Sequence, residues 1–106
     1  MINYLAEWAE KNKVHFKQLG ITTDKIFVSQ NEEYAGGYVD HSTDKYVGRI
    51  SLSGENFIDI EIIDIESEVK IMVAHYNNPD NLEVIAQPYI HILADKKLIN
   101  CDLIFK

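Results

Sequence analysis

Apolar positions along this chain change their period twice, and each change marks a boundary between kinds of structure. Ile2, Leu5, Trp8, Ala9 and Phe16 recur at roughly helical spacing while Glu7, Glu10, Lys11 and Lys17 fall on other faces. That spacing predicts an amphipathic helix, with Gly20 as its C-terminal stop. An aromatic on such a stripe packs against a sheet, so Trp8 reads as core. Residues 25–29 and 34–40 then predict short strands, and the pair Gly36-Gly37 marks a bulge or a close backbone approach.

The clearest pattern runs through residues 46–76, where the strand-like segments 47–52, 57–64 and 69–76 are separated by Ser53-Gly54-Glu55-Asn56 and by Glu66-Ser67. These are hairpin-length links, and they predict an antiparallel meander. Ile58, Ile60 and Ile62 alternate with Asp59, Glu61 and Ile63, so three isoleucines share one face and two carboxylates the other. Val69, Ile71 and Val73 are expected to continue the isoleucine face with Lys70 opposed, which also places His75 on the apolar register. One sheet face then packs on helices and the other meets solvent or a partner.

After Asn77-Asn78-Pro79-Asp80 the period lengthens: Leu82, Ile85, Ala86, Tyr89, Ile90 and Leu93 form the stripe of a second amphipathic helix. Pro88 removes a backbone donor and predicts a kink or helix boundary near Gln87. Residues 98–105 read as a final strand or a packed extension. The expected fold is α+β, one domain over residues 1–106. It has an N-terminal helix, an antiparallel meander sheet of about four to five strands, and a second helix near the C-terminus.

Composition adds that 106 residues suit one domain, and that 46% apolar and 25% charged residues can support a core. The start Met-Ile-Asn-Tyr-Leu-Ala-Glu-Trp lacks a basic region followed by a long apolar run, and no stretch approaches a membrane span. The expectation is a cytoplasmic protein with no membrane partner. Cys101, the single cysteine, sits in the apolar tail and reads as a buried structural thiol.

Charge changes the picture more. The chain carries −7, and ten of its seventeen carboxylates fall in residues 31–68 against only Lys45 and Arg49, a segment charge of −8. The excess lies where residues alternate like strands, so its carboxylates can share one sheet face. That arrangement either keeps a small protein soluble or docks something cationic. Direct nucleic-acid binding is disfavoured, since clustered Lys and Arg are missing.

Catalytic constellations do not emerge. His15, His41, His75 and His91 are too far apart to share a metal-binding spacing. His41-Ser42-Thr43-Asp44 collects hydroxyl, imidazole and carboxylate groups but reads as a turn, because Ser, Thr and Asp bond their own backbone. Asp59 and Glu61, exposed on one face, have no reason for the separated pKa values that acid and base roles require. Gly36-Gly37 lacks the rest of a phosphate loop. The residues point to no catalytic group, no metal and no cofactor.

The stretch Val47-Gly48-Arg49-Ile50-Ser51-Leu52-Ser53-Gly54, followed by Ile58-Asp59-Ile60-Glu61-Ile62-Ile63-Asp64 and Val73-Ala74-His75-Tyr76, resembles the core of the TriTu family of bacterial immunity proteins. The helix carrying Trp8 and the late helix over residues 82–93 fit the same layout. The resemblance implies a small, non-enzymatic cytoplasmic protein that binds and neutralises the toxic C-terminal domain of a cognate contact-dependent growth inhibition or other polymorphic toxin, by blocking its active or substrate-binding surface. It further implies that this toxin is a tRNA-cleaving nuclease working with elongation factor Tu, which extends the partner set to that factor. A nuclease gripping tRNA needs a cationic cleft, and carboxylates standing in for phosphates can block it with fast, steered association. The expected toxin-facing residues are Asp40, Asp44, Glu55, Asp59 and Glu61, with Tyr38 or Tyr46 as an aromatic anchor. Two other classes stay open: a small acidic binding or self-assembling module, and a small enzyme with a pocket around His75 or His41.

Overall fold

A computed structural model describes residues 4–29, 36–54 and 56–95. Helix α1 (Tyr4–Gln18) is followed by strands β1 (Thr22–Val28), β2 (Gly37–Ser42), β3 (Tyr46–Ser53), β4 (Phe57–Asp64) and β5 (Lys70–Asn77). Helices α2 (Leu82–Ile85) and α3 (Gln87–Ala94) come last. The strands form a sheet in the order β1-β2-β3-β4-β5, every neighbour antiparallel. This is the expected α+β meander, with the helices gathered on one face.

In α1 the stripe Leu5, Trp8, Ala9 and Phe16 is buried, as its spacing requires. The helix stops because the Gly20 N–H donates to the Lys17 carbonyl and the Ile21 N–H to the Phe16 carbonyl, a pairing that closes the last turn around a left-handed residue. Gly20 has φ +85° and open space where a Cβ would stand, so its requirement is conformational and not steric. Gly20→Ala is expected to lower unfolding free energy by about 1 kcal/mol, read from a urea melt, with α1 otherwise intact.

Val39, Ile50, Leu52, Ile58, Ile60 and Ile62 project from the central strands onto Leu5, Trp8, Phe16, Leu82, Tyr89 and Leu93, making one core between sheet and helices. Asn81 caps α2 by accepting from the Glu83 N–H. Ala86 separates α2 from α3, and Pro88 lies in the first turn of α3, where a missing N–H leaves no bond unmade. The boundary expected near Gln87 is therefore present. Among the described residues no helix is long and apolar enough to cross a membrane.

One expectation fails in β5. Register pairs Ile60 with Ala74 and Ile62 with Met72, so Met72, Ala74 and Tyr76 turn toward the helices. Ile71, Val73 and His75 turn outward, the last opposite Asp59, and Val69 in the preceding connection is exposed as well. The run is apolar in both registers, and pairing with β4, including a slip at Ile62/Ile63, decides which half is covered. The expected final strand at residues 98–105, the buried thiol of Cys101 and the site residue Glu55 lie outside the described residues.

Candidate protein-binding face

Among the described residues no helix covers the outer face of the sheet, and its residues are ordered in rows by the strand register. One row runs Phe27, Tyr38, Ser51, Asp59, His75 across all five strands; the next runs Lys25, Asp40, Arg49, Glu61, Val73. Four of the expected contact residues, Tyr38, Asp40, Asp59 and Glu61, thus stand together. Asp44 lies instead in the β2–β3 turn at one end of the sheet. Tyr46 belongs to the opposite face, alternating with Gly48 and Ile50 and packed against the core.

Tyr38 is held by its neighbours. Its ring stacks on Phe27 at 5.2 Å between centroids, and the Arg49 guanidinium lies 3.8 Å above its centroid. Arg49 in turn donates from Nε to Asp40 Oδ1 at 2.6 Å and from Nη2 to Oδ2 at 3.0 Å, a two-pronged pairing that Asp40 and Arg49 reach because they are direct cross-strand partners. The bond to Asp40 raises the Arg49 pKa further. Aromatic, cation and carboxylate are therefore placed before any partner arrives.

A second group sits on β4 and β5. The ring nitrogens of His75 face Asp59 Oδ1 at 2.6 Å and Asn77 Oδ1 at 2.8 Å, and the imidazole stacks on Phe57. Two acceptors suit an imidazolium donating from both nitrogens, and hydrogen bonding to Asp59 and then Asn77 raises the His75 pKa. Lys70 lies 3.6 Å from Glu61. Asp40 and Glu61 accordingly each have a cationic neighbour on the same face, and Asp59 has one when His75 is protonated.

This pairing overturns the premise that the acidic segment makes an acidic sheet face. Among the described residues of that segment the unbalanced carboxylates sit at the end of the meander, on Asp44, Asp64, Glu66 and Glu68, where the Ile65 N–H donates to the Lys45 carbonyl and joins two connections. Lys45 itself is taken by Asp95, whose hydrogen bond raises the lysine's pKa. Charge summed along the sequence does not record register: it counted Arg49 without pairing it to Asp40, and Lys70 and His75 lie beyond the acidic segment. The signal for Arg49 was the hairpin itself, since position 49 is opposite position 40 when Thr43 and Tyr46 close the turn.

Around these pairs the face exposes Phe27, Val47, Phe57, Ile71 and Val73, the last at 67%. A hollow of ≈ 450 Å³ opens over the backbone of Gly48, bounded by Asp24, Asp40, Val47, Arg49, Glu61 and Ile63. Beneath it, on the helix side, His41 is buried among Trp8, Phe16 and Tyr89, with Nδ1 2.7 Å from the Tyr89 hydroxyl. His41 was expected in a turn. The turn is there, with Thr43 Oγ1 accepting from the Lys45 and Tyr46 N–H groups, but it begins after His41. Among the described residues no group of His, Cys, Asp and Glu is placed to hold a metal ion.

A small helix-backed meander with one bare face of aromatic side chains and ion pairs defines a domain of the protein-binding class, its chemistry arranged for contact. The chain matches the family described as Immunity protein TriTu over residues 3–91, and it belongs to that family. Comparison with curated proteins gives no match, and comparison with solved structures gives none. Membership identifies an immunity protein, for which a cognate toxin is the partner and inhibition the role.

Proposed function

We propose that the outer sheet face is where this immunity protein takes hold of its toxin, and that the whole chain acts as one inhibitory domain in the cytoplasm of the toxin-producing or targeted cell. The partner is the C-terminal nuclease domain of a contact-dependent growth inhibition toxin, a tRNA-cleaving enzyme whose complex extends to elongation factor Tu. Family membership supports the toxin, and the sequence resemblance supports its chemistry. The observation that carries the choice of face is the set formed by Phe27, Tyr38, Arg49 and Asp40. A stacked tyrosine and an arginine already clamped by a carboxylate lose little side-chain freedom on binding, which is what contact hot spots require. Asp59 and Glu61 belong to the same face and add direction rather than bulk charge. The net charge of −7 acts at longer range, speeding encounter with a cationic partner.

Co-purification with the polypeptide encoded directly upstream, followed by calorimetry, tests the reading. Tyr38→Ala removes the ring that supports both Phe27 and Arg49 and is expected to weaken the complex by about 2 kcal/mol, about thirtyfold, while the free protein's melt stays close to wild type. Unchanged affinity in that variant would move the contact to another face.

A further inference from the structure

From the charge balance of the outer face we infer the character of the toxin patch it covers: a mixed apolar and charge-alternating protein surface that lies outside the toxin's phosphate-binding cleft. The inference rests on the proposed function and specifies its mode. Lys25, Arg49 and Lys70 stand against Asp40, Asp59 and Glu61 on this face, so it is neutral within one charge once Asp24 at the hollow and His75 are counted. A cleft that grips a polyanion is cationic throughout. Against it, each carboxylate here would have to give up its own partner, and the released Arg49 and Lys70 would remain inside the contact facing like charge.

The complementary surface has a different pattern. The row Lys25, Asp40, Arg49, Glu61 alternates in sign from strand to strand, so the patch that fits it alternates in the opposite sense. Beside that row Val47, Ile71, Val73, Phe27 and Phe57 are all more than a third exposed, an apolar area that a strongly charged cleft would not desolvate favourably. Both features select a folded protein surface with its own apolar centre and balanced charge. Inhibition then comes from obstructing a surface the toxin uses for assembly or movement, and the cleft stays open to phosphate.

The test measures the affinity of this protein for the upstream-encoded toxin polypeptide by calorimetry, without heparin and with heparin at a concentration that saturates the free toxin. The expected result is a Kd changed less than threefold, with heparin still bound to the one-to-one complex. In parallel, Val73→Asp is expected to weaken the complex more than tenfold, and the triple neutralisation Asp40→Asn, Asp59→Asn, Glu61→Gln less than that. A Kd raised threefold or more by heparin, or a triple variant weaker than Val73→Asp, overturns the inference while leaving the immunity reading in place. Failure of the wild-type protein to bind the toxin at all overturns both.

Discussion

Gly48→Ala is expected to cost about 3 kcal/mol of folding stability, a large share of the roughly 5–15 kcal/mol typical of a domain this size. A methyl group at position 48 would stand 2.7 Å from Tyr89 Cε1, 2.8 Å from its hydroxyl and 3.0 Å from Cζ. The ring cannot step aside cheaply, because Tyr89 is fully buried and anchors α3 to the sheet. Relieving the overlap means either straining the core, at about 1–3 kcal/mol, or withdrawing the hydroxyl from His41 Nδ1 and leaving two buried polar groups unpaired, at a similar cost. Urea denaturation of the variant measures that cost. Combining it with Tyr89→Leu, which removes the obstructing ring, should give a loss well below the total of the two single changes. A Gly48→Ala protein within 1 kcal/mol of wild type would show that α3 moves more freely than this packing implies.

The same contact explains why parts of the fold could be read from the chain and parts could not. In β4 polarity alternates with side-chain direction, Ile58, Ile60 and Ile62 against Asp59 and Glu61, and both faces were legible. In β5 the residues of both registers are apolar, so size suggested Ile71 and Val73 for the core, whereas pairing gave the core Met72, Ala74 and Tyr76. Nothing in the sequence marks Gly48, since its reason is an aromatic ring 41 positions away. His41 was misplaced because a histidine beside Ser, Thr and Asp suggests a turn, although its spacing of two from Val39 already put it on the buried face.

For the candidate site the limit was electrostatic. Counting charge located the acidic segment correctly and found that Asp59 and Glu61 share a face, but a sum over sequence cannot tell an isolated carboxylate from a paired one. Cross-strand register supplies that distinction. It converts Asp40 with Arg49 and Glu61 with Lys70 from surplus charge into neutral pairs, does the same for Asp59 when His75 is protonated, and among the described residues leaves the surplus at the strand connections. Exposed pairs of this kind add at most about 1 kcal/mol each to folding. Their effect is on what can dock, because each pair fixes the direction of two side chains without giving the face a net sign.

Lowering the pH from 7 to 4.5 is expected to remove about 2.5 kcal/mol of stability through His41 alone. Burial pushes its pKa from 6.5 down to about 4, against the opposing pull of Asp24 and Asp40. Above pH 6.5 the ring is neutral in both folded and unfolded chains, and its contribution is complete. Between 6.5 and 4 the unfolded chain binds a proton that the folded chain refuses, so stability falls as the pH falls. His75 works in the other direction, since its raised pKa favours the folded protein below 6.5 and loses that contribution as pH rises; its exposure to solvent keeps the effect small. Urea melts at pH 7, 5.5 and 4.5 should therefore show a decline in wild type that is largely absent in His41→Gln, which starts lower because it opens the contacts with Trp8, Phe16 and Tyr89. An equal decline in both proteins would place the acid sensitivity elsewhere. The geometry argues against that: His41 Nε2 has no hydrogen-bond partner among the described residues, so a proton added there would put a positive charge into the core with nothing to receive it.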